Sequence, residues 1–206
     1  MTLADFMKLS WKQYLVLEAD FGQTERYISF EQENFSVYSQ EYIKQLQAIC
    51  GEIDVQCKQY CKFLDTSFNG IDISSYASVL LKRKANIKNA VVLCKDLQLK
   101  PWKMWSSDVE GDNKKNNSPR WWKDYNKVKH ERLGTDSFGK YWYTHANLDN
   151  TMNALAALYV LCMNFYKDLA DKEENRMTVP YQESTIFTYK DWEPSIITIS
   201  NKFFVS

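Results

Sequence analysis

One of the two histidines in the chain stands among basic and amide residues. Positions 123, 126, 127 and 130 share one helix face, because residues three, four and seven apart are neighbours on an α-helix. That face carries Lys123, Asn126, Lys127 and His130, with no apolar residue among them. A cation, an amide and an imidazole that titrates near neutral pH can hold a phosphate and transfer a proton. The spacing is also typical of a solvated basic face, so both interpretations stay open here.

The charges around this face are unevenly distributed. Residues 82–140 contain 15 Lys or Arg and seven Asp or Glu, a net of +8, and the remainder carries −8, so the formal net charge is zero. Such asymmetry indicates a surface that faces a polyanion, and it is equally expected where two halves pack on each other or on a partner. The pairs Trp102/Trp105 and Trp121/Trp122 lie in this section, where they could stack on bases or fill a core. Helical position favours burial for the second pair.

The remaining candidates for chemistry are weaker. Cys50, Cys57 and Cys61 form one stripe of a helix, and without a nearby histidine or a C-x-x-C pair they read as buried apolar residues. His145 lies in an aromatic-rich connection and is interpreted as structural. The sequence has no phosphate-binding glycine loop and no nucleophile elbow, and we predict no metal or other cofactor.

The number of cysteines and the hydropathy of the sequence indicate the cellular compartment of the protein. Five cysteines are an odd number, and the first residues show no basic region followed by an apolar run, so we expect no signal peptide and reduced thiols in a cytoplasm. The longest apolar stretch, residues 154–163, is shorter than the roughly 20 residues that a bilayer span needs. The sequence therefore predicts a cytoplasmic protein without a membrane partner.

Helical periodicity dominates the elements that must position these residues. We predict a mainly α fold over residues 1–206, a single domain built as a bundle of about five helices with a small C-terminal β hairpin or appendage. Two helices occupy residues 1–66: Thr2 with Asp5 fits a capping box for the first, and Ser36 or Ser39 caps the second. Residues 73–84 suit a third helix, and residues 89–105 suit a short strand or an irregular segment.

Residues 118–170 contain the two remaining helices. Ser118 as N-cap and Pro119 at the first helical position open the helix that carries His130, and Asn147 caps a helix that is apolar nearly all round. The polar residues 106–117 read as a loop. In the tail, residues 181–206, the strings STIFTY and SIITIS read as two short strands.

The text WWKDYNKVKHER followed by ANLDNTMNALAALYVL resembles the HEPN superfamily of small helical bundles. The resemblance covers chiefly residues 118–170, together with the two-helix character of residues 1–66. The family's hallmark is an Arg followed by four to six residues and a His, often with a polar residue right after the Arg. No Arg stands five to seven residues before His130: Tyr125, followed by Asn126, occupies the position with four intervening residues, and Lys123 the position with six. Lys lacks the planar fork with which Arg binds phosphate.

The resemblance implies an RNA-directed protein of the defence or toxin type. Many HEPN proteins are metal-independent endoribonucleases, usually dimers with the motif paired across the interface, so RNA and a homodimer or companion protein are the implied partners. In that mechanism the RNA 2′-hydroxyl attacks the adjacent phosphate, His130 is the acid or base, Lys123 and Lys127 stabilise the phosphorane, and Asn126 orients the imidazole or a phosphate oxygen. Arg120 and Arg132 are further RNA-binding candidates. The alternative is a non-catalytic interaction module, antitoxin-like or a scaffold subunit.

Overall fold

Two helices of 25 residues each, α3 (Gln40–Leu64) and α7 (Leu148–Lys172), pack along one another at the centre of the fold. The computed structural model describes residues 1–106, 118–175, 177 and 179–192. The other helices are α1 (Leu3–Phe6), α2 (Lys12–Gln23), α4 (Ile73–Arg83), α5 (Asn86–Asn89) and α6 (Arg120–Glu131), with 3-10 turns at Thr24–Arg26, Gln32–Asn34 and Trp142–His145. The predicted mainly α architecture with a small β appendage is confirmed.

The α7 helix is the most enclosed element. Between residues 151 and 166 every side chain except Asn153 is buried, as expected for a helix that is apolar on all sides. The predicted N-cap is present, because the side chain of Asn147 accepts a hydrogen bond from the backbone N–H of Asn150 at 2.9 Å. Neighbours must therefore cover α7 from every direction, and α3, α2, α6 and the C-terminal segment do so.

The first helical segment is interrupted by a π turn. Thr2 and Asp5 form the predicted capping box, with the Thr2 hydroxyl accepting from the Asp5 N–H at 3.1 Å. The segment Met7–Trp11 then adopts a π-helix before α2 begins. A π turn holds one more residue than an α turn, so Phe6 and Trp11, five residues apart, both point into the core, with 0% and 1% exposure.

The β appendage joins two distant parts of the chain. Strands β1 (Val92–Cys94) and β2 (Leu97–Leu99) form a hairpin, and β3 (Thr188–Tyr189) pairs antiparallel with the other edge of β1. Residues 89–105 were expected to form a short strand or an irregular segment, and they contain two short strands. The string STIFTY contributes β3, but its observed partner is β1, and the proposed partner SIITIS lies outside the described residues, as do residues 107–117 of the predicted loop.

A buried carboxylate fastens the C-terminal segment to α2. Glu18, 2% exposed, accepts hydrogen bonds from the Thr185 N–H at 2.9 Å and from the Thr185 hydroxyl at 3.1 Å. The Tyr14 and Ser184 hydroxyls also donate to Glu18. Nearby, the Trp11 indole N–H donates to the carbonyl of Gln182 at 2.8 Å. None of the helices described in the structure is long and apolar enough to cross a membrane.

We predict that Glu18→Ala lowers the free energy of unfolding by about 3 kcal/mol, because the buried Tyr14 hydroxyl and the part-buried N–H of Thr185 lose the carboxylate that accepts from them. Urea denaturation measures this change, and limited proteolysis should show faster cleavage near residue 185. Glu183→Ala is the matched control, since Glu183 is exposed on the same segment and should change stability by less than about 0.5 kcal/mol. Equal stability of the two variants would contradict the prediction.

Candidate nucleic-acid interface

The α6 helix separates an aromatic face from a basic face. It begins at Arg120, one residue later than expected, because Pro119 takes the N-cap position in an extended conformation and its carbonyl accepts the N–H groups of Trp122 and Lys123, both at 3.1 Å. Pro119, which takes the N-cap position, makes no side-chain capping bond, so the prediction that Ser118 is the N-cap is wrong. Trp121, Trp122, Asp124, Tyr125 and Val128 are buried, whereas the opposite face meets solvent.

The tryptophans of the basic section are core residues. Trp102, Trp105, Trp121 and Trp122 are 0%, 1%, 3% and 8% exposed, and three of their indole N–H groups donate to backbone carbonyls. Base stacking on these rings is excluded by their burial. Cys50, Cys57 and Cys61 are buried as expected, and burial raises the pKa of each thiol, that of Cys61 to about 12. No group of His, Cys, Asp and Glu in the described ranges could hold a metal ion.

His130 and Lys123 lie where the helical spacing predicts. Both are exposed, and in the described part of the chain neither side chain forms a hydrogen bond or an ion pair. They are separated by seven residues, which is about 10 Å of helix rise. One phosphate group therefore cannot contact both side chains closely, but an extended RNA backbone along the helix could contact each in turn.

Asn126 and Lys127, which share this helix face with Lys123 and His130, already form hydrogen bonds with other groups. The Asn126 amide nitrogen donates to the carbonyl of Trp122 at 3.0 Å, and among the described residues no hydrogen bond joins Asn126 to His130. The Lys127 ammonium donates to both carboxylate oxygens of Glu131 at 2.8 Å and lies 5.5 Å from the Trp142 ring. Such an exposed pair is worth at most about 1 kcal/mol, so a phosphate can displace Glu131.

The two arginines stand at opposite ends of α6. Arg120, whose side chain is 71% exposed, has its Nε 3.5 Å from a carboxylate oxygen of Asp124. Arg132 is exposed just beyond the last turn, and its carbonyl accepts the N–H of Tyr143 at 3.1 Å. Arg120 and His130 are about 15 Å apart along the axis of α6, so they would contact different parts of a bound polymer.

A polar network that the sequence interpretation did not anticipate supports α6. Asp124, 8% exposed, accepts from the Asn150 amide at 2.8 Å and faces the His145 Nδ1 at 3.4 Å. The other ring nitrogen of His145 lies 3.2 Å from Asp136. Both ring nitrogens can donate at once only in the imidazolium form. The network ties α6, α7 and residues 134–145 together, in agreement with the structural interpretation of His145.

Residues 134–145 form a hairpin held by Asp136, and we call this segment the Asp136 hairpin. An antiparallel bridge joins Thr135 to Tyr141, and Gly139 at its tip has a φ of +78°. One carboxylate oxygen of Asp136 accepts the N–H groups of Lys140 at 2.9 Å and Phe138 at 2.8 Å. The hydrogen bond from the Lys140 N–H is the largest cause of a lowered pKa for Asp136. The Phe138 N–H and His145 lower this pKa further.

A cleft of about 470 Å³ lies between the Asp136 hairpin and residues 36–38. Tyr38, Tyr141 and Tyr143 line it together with Arg120 and Lys140, and we call it the tyrosine cleft. Its aromatic residues were not among the sequence-predicted candidates. The available signal was the alternation of aromatic and polar residues in KYWYTHAN, which precedes the N-cap of α7.

The two histidines give a matched test of the network. We predict that His145→Ala lowers the free energy of unfolding by about 2 kcal/mol, since the hydrogen bond of its Nε2 with Asp136 and the contact of its Nδ1 with the buried Asp124 carboxylate are both lost. His130→Ala should change it by less than about 0.5 kcal/mol because His130 is exposed and makes no such bond. Urea denaturation with tryptophan fluorescence measures both. Equal midpoints for the two variants would contradict the role given to His145.

The lowered pKa of Asp136 predicts an acid-dependent contribution to stability. A carboxyl group with a depressed pKa in the folded state stabilises the protein above its unfolded pKa of about 3.9, and this contribution is lost as the pH falls through the folded pKa. The stability difference between the wild type and Asp136→Asn should therefore shrink as the pH falls from 5 towards 2 in urea titrations. A difference that stays constant over this range would argue against an ionised Asp136 as the stabilising form.

Comparisons with known proteins found no match to this chain. No family model, no curated protein and no solved structure matches this chain. The HEPN resemblance of residues 118–170 therefore stays a prediction.

Proposed function

We propose that the chain is an RNA-directed protein that binds single-stranded RNA along the solvent face of α6. The observation that carries the proposal is the exposed, unpaired pair Lys123 and His130 on a helix whose opposite face is buried. Arg120 and Arg132 extend the positive surface to both ends of the helix. Phosphate contacts of this kind provide most of the sequence-independent affinity of proteins for nucleic acids.

The proposal extends from RNA binding to RNA cleavage. His130 is open to solvent, so it can approach the 2′-hydroxyl or the leaving 5′-oxygen of a bound strand. Attack of the 2′-oxygen on phosphorus forms a 2′,3′-cyclic phosphate and releases the 5′-oxygen, with His130 removing or supplying one proton. Lys127, which neighbours His130 on the helix face, neutralises the phosphorane once Glu131 is displaced, and Lys123 binds an adjacent phosphate of the strand. Membership of HEPN-like defence or toxin systems, and action as a homodimer, are part of this proposal and rest on the resemblance.

A second candidate, a protein interaction module, is favoured by a different observation. Leu133 and Phe138, beside and within the Asp136 hairpin, are 81% and 88% exposed, which is unusual for large apolar side chains so close together in sequence. A companion protein or a second copy of the chain would cover them. Light scattering of the wild type and of Leu133→Asp would show whether this surface mediates self-association.

The test of RNA binding is a salt series with labelled single-stranded RNA. We predict that Lys123→Ala weakens binding and reduces the slope of log K against log salt by about 1, because one phosphate contact is lost. Lys12→Ala is the control, since it removes an exposed lysine from α2 and should leave the slope unchanged. Salt-independent binding, or equal behaviour of the two variants, would contradict the proposal.

Cleavage is tested separately with total RNA, with and without EDTA. We expect cleavage that persists in the chelator and is lost in His130→Ala, with normal folding shown by circular dichroism. A His130→Ala protein that cleaves as well as the wild type would remove His130 from the mechanism. RNA that binds but is not cleaved would assign the chain to the binding-only form.

A further inference from the structure

The walls of the tyrosine cleft offer flat aromatic surface to solvent. The Tyr141 and Tyr143 rings stack with centroids 5.6 Å apart and an interplanar angle of 17°, and Tyr38 meets Tyr143 edge-on at 5.7 Å. Tyr141 and Tyr38 are nevertheless 50% and 49% exposed. A planar ring can therefore continue the stack on Tyr141, as bases do on the aromatic residues of single-strand binders.

Two cations line the same cleft, and its described lining residues include no Asp or Glu. Arg120 and Lys140 contribute these side chains. The carboxylates near these cations have other partners as well: Asp124 accepts from the Asn150 amide, Asp136 accepts two backbone N–H groups, and Asp149, which also interacts with Arg120, accepts from Asn153. At 3.5 Å the contact of Arg120 Nε with Asp124 is longer than a good hydrogen bond, so the guanidinium is available to a phosphate.

Both walls are fixed before any ligand arrives. The Asp136 hairpin is held by its own carboxylate and by His145. Residues 35–38 are held against the start of α7, because the N–H groups of Leu148 and Asp149 donate to the carbonyls of Val37 and Phe35 at 2.9 and 3.2 Å. A preformed site loses little conformational entropy on binding.

We propose that the tyrosine cleft binds one nucleotide of single-stranded RNA, with its base stacked on Tyr141 and its phosphate held by Arg120 and Lys140. This inference rests on the proposed function, since it places the cleft on the path of an RNA strand that lies along α6. Arg120 and Lys123 are three residues apart and hence neighbours on the helix surface, so the two positive surfaces are continuous. Duplex RNA cannot use the cleft, because its bases are already stacked and paired.

The experiment measures fluorescence anisotropy with a labelled 15-nucleotide RNA, single-stranded and as a duplex. Tyr141→Ala should bind the single strand about 10-fold more weakly with an unchanged salt slope, because a stacking contact and no charge is lost. Tyr141→Phe should retain affinity, since it keeps the ring. Tyr181→Ala is the control, because Tyr181 is 79% exposed beside the N-terminal helix, away from the cleft.

The results separate the proposal that the tyrosine cleft binds a nucleotide from the proposal that α6 binds RNA. Binding by Tyr141→Ala that equals the wild type, while Lys123→Ala is weakened, overturns the cleft and leaves RNA binding by α6 in place. No binding of RNA by the wild type overturns both. Loss of duplex binding in Tyr141→Ala also counts against a base-stacking site. Unlabelled adenosine monophosphate should not displace the RNA at equal nucleotide concentration, and displacement would instead identify a site for free nucleotides.

Discussion

The arrangement of the candidate interface depends on one buried carboxylate, that of Asp124. A buried charge is tolerated only when it is paired and hydrogen-bonded, so Asp124 requires the Asn150 amide and the His145 ring around it. Those partners come from α7 and from the Asp136 hairpin, and the requirement therefore fixes both against α6. Together with the buried aromatic face of α6, this constraint sets the position of the Asp136 hairpin beside the tyrosine cleft and the outward direction of the basic face.

Features that depend on neighbouring residues could be predicted from the sequence. The caps at Thr2 and Asn147 were predicted, and Ser39 was one of two candidates for the cap of α3, because a capping side chain bonds to a backbone N–H only two or three residues away. The pairing of β1 with β3 could not be found, because almost a hundred residues separate the strands and each is only two or three residues long. The π turn before α2 carries no periodic signal of its own.

In the candidate site, the residues that lie on one helix could be predicted from the sequence, and the contacts between different segments could not. Helical spacing predicted that Lys123, Asn126, Lys127 and His130 share a face, and this is a property of one helix. The engagement of Lys127 with Glu131 also lies within α6, and the i, i+4 spacing of the two residues was the available signal. The network around Asp124 was missed because its members come from three segments. A hint was present, since an acidic residue between Trp121 and Tyr125 on the core side of α6 needs a partner.

The attachment of residues 184–187 to Glu18 has a consequence for how the protein is made. Glu18 enters the core with the N-terminal helices, which leave the ribosome early, yet donors that satisfy it reside more than 160 residues later. Until that late portion emerges, a nascent chain must leave the carboxylate hydrated or hold it against Tyr14 alone. Native packing around Glu18 is thus coupled to synthesis of residues 184–187, and a chain that stalls before them is exposed to quality control.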